Sequence, residues 1–258
     1  IESSVFNRCV NLTGSLIIPD KITQIPGGAF CDAGFTGTLT LPEGLIEIGS
    51  RAFDGVDFKG ELNFPDRLAV IGSYAFANTT FNGTLVLPKE LLSLGSDAFY
   101  GCWRLSGVVE IPKNIISIPS KLFRDCRGIE GIILHKDVEV IESSAFANCT
   151  GVYSIVSHAK NPPIINSNSF AGVAKDNFTL EVPEASVNQY RNASNWSEFK
   201  RISAHRDFSI SRNLYRTLND SHSKTFVLRA QSGEQWSVEK KPDWVDVSPS
   251  NGTGKVEV

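Results

Sequence analysis

The chain has 258 residues, 41% of them hydrophobic and 21% charged, with a formal net charge of −3. That balance is globular, not disordered. It shows no Lys/Arg cluster dense enough to follow a phosphate backbone, so nucleic acid is not expected as a partner. No apolar run approaches the roughly 20 residues of a membrane-spanning helix.

Along the chain the first signal is a repeat. A small or branched residue followed by Phe recurs at Phe6, Phe30, Phe53, Phe76, Phe99, Phe123, Phe146 and Phe170, every 23 or 24 residues. Eleven residues before six of these stands Pro19, Pro42, Pro65, Pro88, Pro112 or His135, and His158 stands twelve before the last. Ahead of each Pro lies a short alternation such as Leu39-Thr40-Leu41 or Leu85-Val86-Leu87. This reads as a strand with outer residues facing inward and the middle one outward, ended by a Pro that has no N–H to donate. Further apolar residues follow at fixed offsets (Leu45 and Ile48, Leu68 and Ile71, Leu91 and Leu94), filling the coil behind the strand. Three residues before Phe stands Ser in seven units and Gly27 in the other, which predicts a short helical turn capped there. Eight such units stack into a solenoid with one parallel strand and one helical turn per coil of about 23 residues.

Between Asn161 and Phe199 the repeat changes character. Val187, Tyr190, Trp196 and Phe199 mark an amphipathic segment suited to covering the last open face of the stack. After Ile202 the period stops, and short alternations around Phe208, Phe226, Trp236 and Val245 read as strands of a second domain. The division expected is 1–202 for the solenoid with its cap and 203–258 for a β-sandwich.

The pattern L-x-[LIF]-P-x-x-[LI]-x-x-I-G-S-x-A-F, carried by eight copies, resembles the leucine-rich repeats of BspA-like bacterial surface proteins. The resemblance implies an extracellular or cell-surface location and an adhesion role. The stretch from Trp236 through Trp244 to Gly254 resembles the BACON domain, a small immunoglobulin-like sandwich, here without that family's last strands. Both chain ends read as lying inside larger units, so a signal or lipid anchor would fall outside this sequence.

The chemistry-bearing residues are few. Cys9, Cys102, Cys126 and Cys149 share one repeat position, which suits a ladder of free thiols in the core better than disulfides. His135 and His158 share another, but two imidazoles without further ligands fall short of a zinc site. No metal and no cofactor is therefore expected. The N-x-[ST] triplets at Asn78, Asn148 and elsewhere read as repeat grammar. No nucleophile elbow, metalloprotease helix or phosphate loop is present, and the chain reads as non-enzymatic. A surface remains. The outward residues of the eight strands, Ile17, Thr40, Asn63, Val86, Glu110, Ile133, Val156 and Glu181, are half aliphatic, which predicts a binding face for host or bacterial surface proteins. Carbohydrate stacking on Trp236 or Trp244 is the alternative, and a spacer role for the second domain a third.

Overall fold

In the computed structural model, residues 2–205 are described throughout, and beyond them four strand segments: Val227–Arg229, Gln235–Ser237, Asn251–Thr253 and Lys255–Glu257. The chain divides into two compact units, Ile1–Ala204 and His205–Val258.

The first unit is the expected stack of repeats. Its strands in chain order are β1 (Leu16–Ile17), β2 (Gln24–Ile25), β3 (Leu39–Thr40), β4 (Glu47–Ile48), β5 (Val70–Ile71), β6 (Gly83–Thr84), β7 (Ser93–Leu94), β8 (Leu105–Glu110), β9 (Ser117–Ile118), β10 (Ile129–Leu134), β11 (Val140–Ile141), β12 (Ser154–Ser157), β13 (Ile164–Ile165), β14 (Leu180–Val182) and β15 (Ile202–Ala204). All pairings among them are parallel.

Three features differ from the sequence reading. First, each coil carries a second short strand. β2, β4, β5 and β7 form one parallel sheet and β9, β11 and β13 another. Residues such as Ile48, Ile71 and Leu94 therefore do more than fill the interior. Their backbone is extended, and its N–H and C=O groups find partners only in the neighbouring coils.

Second, the turn bearing Phe is not helical. In residues 51–56 the N–H groups of Arg51, Phe53 and Gly55 donate to Ser73, Ala75 and Ala77 of the next coil, while those of Ala52, Asp54 and Val56 donate three residues back. A helix would send every N–H along its own axis. Here alternate groups must serve the adjacent coil, so the backbone alternates between right- and left-handed conformations. Arg51, Tyr74, Asp97 and Lys121 have φ near 57°, and Asp32, Asn78, Asp125 and Asn148 take the same region two residues after each Phe.

Third, the first-strand sheet is not continuous. β1 pairs only with β3, while β6, β8, β10, β12, β14 and β15 form a six-stranded sheet. Residues 62–64 form no strand. Gly60 (φ 84°) turns the chain just before them, and Phe64 sets its ring edge-on to Phe76 and Phe99 at 5.5 and 6.3 Å. The β8–β10 register shifts between Ile129 and Gly131, opposite Gly107 (φ 79°) and Val108.

The core is a column of rings. Phe6, Phe30, Phe53, Phe76, Phe99, Phe123, Phe146 and Phe170 stack successively with centroids 5.2–5.7 Å apart and planes within 19°. Phe35, Phe58 and Phe81 form a second column beside the first. Gly72 and Gly95 lie where the coils approach closely: a Cβ there would meet the preceding coil's backbone at 2.5 and 2.2 Å. Cys102, Cys126 and Cys149 are buried and free. Each thiol donates to a Phe carbonyl of the preceding coil (Phe76, Phe99, Phe123) at 3.0–3.1 Å.

The amphipathic cap forms as α1 (Val187–Asn192), preceded by a 3-10 turn, Glu184–Ser186, and followed by another, Trp196–Glu198. Tyr190, Trp196 and Phe199 are buried, the last two against Phe170. In the second unit, Val227–Arg229 pairs antiparallel with Lys255–Glu257, and Gln235–Ser237 with Asn251–Thr253. The expected immunoglobulin-like sandwich otherwise falls on residues outside those described.

Candidate functional site

Period-2 alternation governs the strand face. Leu16 is half-buried, Ile17 exposed and Ile18 buried; Leu85, Val86 and Leu87 repeat the pattern as buried, exposed and buried. Cross-strand register places Ile17 beside Thr40, and Glu110, Ile133, Val156 and Glu181 in one transverse row. Asn63 and Val86 are exposed but lie outside the strands, Val86 two residues beyond the last residue of β6. Exposure is uneven. Ile17 and Val86 reach 71% and 68%, whereas Ile133, Val156 and Glu181 are half-buried.

Two aromatic residues near this face were not singled out by sequence reasoning. Trp103, 55% exposed, stands two residues before β8 with the Arg104 guanidinium 5.3 Å from its ring. Tyr153, immediately before β12, sets its hydroxyl 3.1 Å from Glu130 Oε2 of the preceding coil. For Trp103 the available signal was a bulky ring at a repeat position where other units carry Asp57, Thr80, Arg127 and Thr150; Tyr153 stands where the preceding unit has Glu130.

The remaining candidates are quickly placed. His135 bridges two coils: its Nε2 lies 3.1 Å from the Ile115 carbonyl of the preceding coil, and its Nδ1 accepts the Asp137 N–H of its own turn. Among the described residues, no group of three or more His, Cys, Asp and Glu side chains is arranged to hold a metal ion. Trp244 lies outside the described residues, and Trp236 is described only as a position in the strand Gln235–Ser237. No described helix is long and apolar enough to cross a membrane.

The model of the BspA type leucine rich repeat region matches in six copies, with matched segments at 1–130, 71–195 and 116–225. A leucine rich cell surface protein from Faecalibacterium prausnitzii A2-165 is similar at 17% identity, covering 86% of this chain and 66% of its own, with a TM-score of 0.36. A leucine-rich repeat protein from Bacteroides ovatus ATCC 8483 is similar at 18% identity, covering 80% of this chain and 87% of its own, with a TM-score of 0.26. No curated protein matches.

Proposed function

The chain belongs to the BspA-type leucine-rich repeat family, and from that premise we propose that it is a non-enzymatic binding protein of the bacterial cell surface whose strand face docks a protein partner. The observation carrying this reading is the aliphatic exposure of that face: Ile17 and Val86 are 71% and 68% exposed, and the described residues supply no layer above them. A core requires the neighbours of these residues and not the residues themselves, so their apolar character has no use inside the fold. Trp103 and Tyr153 extend the surface with large, rigid contact area of the kind that anchors interfaces.

The test is a charge placed on the face. Ile17→Lys together with Val86→Lys leaves every inward residue untouched, so circular dichroism and the denaturation midpoint are expected to hold. Binding to a panel of extracellular-matrix and bacterial surface proteins is expected to fall at least tenfold for any true partner. Undiminished binding by the folded double variant removes the strand face from consideration.

A further inference from the structure

The second strand ladder, which the sequence reading treated only as filling, carries a surface of its own. The residue preceding six of its seven strands lies on the surface: Thr23, Ile46, Leu92, Ile116 and Glu139 are exposed and Ala69 is half-buried, while Pro163, before β13, is buried. Backbone bonds from Ile46 to Thr23, Ala69 to Ile46, Leu92 to Ala69 and Glu139 to Ile116 put these residues in a row at coil spacing. Ile46, Leu92 and Ile116 are 38%, 64% and 49% exposed, so the middle of the row is aliphatic and its ends are polar.

Beside this row, on the turn after each Pro or His135, run two rows of exposed charge. The first reads Asp20, Glu43, Asp66, Lys89, Lys113, Lys136: three acids, then three bases. The second reads Lys21, Gly44, Arg67, Glu90, Asn114, Asp137, with the opposite order of sign over these six coils; the next turn, after His158, carries buried Ala159 and exposed Lys160 and lies beyond the patch. Both reverse sign about one point, between the coils of Asp66 and Lys89. The aliphatic row is centred on that same point, with Ala69 and Leu92 on either side and Ile46 matched to Ile116.

Two charge rows that reverse sign about one point, and an aliphatic row centred on it, are self-complementary under a two-fold axis. We propose that this face is an isologous contact between two copies of the chain, lying antiparallel across an axis that passes between the Asp66 and Lys89 coils. In that arrangement Asp66 meets Lys89 of the second copy, Glu43 meets Lys113, Asp20 meets Lys136, Arg67 meets Glu90 and Lys21 meets Asp137. Ile46 and Ala69 pack on Ile116 and Leu92. A two-fold contact needs each patch to fit its own copy, and the antiparallel one lays each charged row on its own reversed copy with opposite signs facing. Within one chain Lys113 already holds Glu90 at 2.7 Å and Lys136 holds Asp137, so the contact joins existing pairs into a network.

Six coils at about 4.8 Å span about 24 Å. The patch is therefore smaller than the roughly 800 Å² per partner of a standard stable interface. A weak dimer is expected, weakened severalfold by raising salt from about 50 to 500 mM. The inference is independent of the strand face.

The full chain is to be followed by sedimentation equilibrium, alone and as two charge variants. Lys89→Glu with Lys113→Glu makes the central row acidic; Glu43→Lys with Asp66→Lys makes it basic. Each variant is expected to be monomeric alone because its row repels its own copy. Mixed in equal amounts they are expected to form a heterodimer at least as tight as the wild-type dimer, which also shows that both are folded. A wild-type chain monomeric up to about 1 mM at low salt would overturn the proposal and leave the face to a different protein. So would dimerisation of either variant at wild-type strength, or a failure of the mixture to associate.

Discussion

Lys121 illustrates what the stack demands of single residues. It sits at φ 55°, where a side chain costs about 1–2 kcal/mol, because its N–H must reach Ser143 of the next coil. Lys121→Gly relieves that cost but returns part of it as unfolded-chain entropy, so a gain of up to about 1 kcal/mol is expected in the urea midpoint. Lys121→Val is expected to lose at least that much. The cysteines show the opposite situation, side chains fully at ease. Burial pushes the Cys149 thiol up to about 12 and raises that of Cys126 as well. Both stay protonated and donate to Phe carbonyls, so neither supplies the thiolate that alkylation needs. In native protein at pH 8 a thiol reagent is expected to titrate Cys9 and Cys31 only, Cys31 slowly because burial and the nearby Asp32 raise its pKa, and all five residues in denaturant.

At the scale of elements the cap is the most specific piece of construction. The Ala159 N–H donates to Ser157 Oγ; the Tyr190 hydroxyl lies 2.7 Å from that oxygen and donates to the Ala159 carbonyl at 3.0 Å. Trp196 Nε1 donates to the Pro163 carbonyl at 2.7 Å. These bonds give partners to polar atoms that the last coil would otherwise bury without any. Burial pushes the Tyr190 phenol up to about 12, against a lesser downward pull from Ser157. A pKa raised in the folded state stabilises below the unfolded value near 10, and that stability is lost as pH rises from there through about 12. Tyrosinate absorbance, wild type minus Tyr190→Phe, is expected to show one phenol titrating near 12, together with loosening of the cap. A difference centred near 10 would show the ring exposed.

For the whole solenoid, stability is the sum of contacts between neighbouring coils, so a defect counts by how many interfaces it touches. Phe76 is fully buried and stacks on both Phe53 and Phe99. Phe76→Ala is expected to cost about 3–5 kcal/mol in chemical denaturation. Phe6 has one stacking neighbour and is 37% exposed, so Phe6→Ala is expected to cost less than half as much. Equal costs would contradict a sum over interfaces.

Composition and spacing alone were enough to determine the stack, its Phe column, the buried free cysteines at 102, 126 and 149, and the cap residues Tyr190, Trp196 and Phe199. These depend on which residues recur and on their inward or outward parity, and a period of 23–24 makes both legible. The second strand ladder, the non-helical Phe turn and the break at residues 62–64 were decided by tertiary structure. Each depends on where a backbone N–H finds its acceptor, and in a solenoid that acceptor lies one coil away. Ser at the head of the turn has the chemistry of a helix cap, yet the next coil's carbonyls outcompete the helix. The uneven strand face, with Val86 exposed and Ile133 half-buried, is likewise not encoded by residue type.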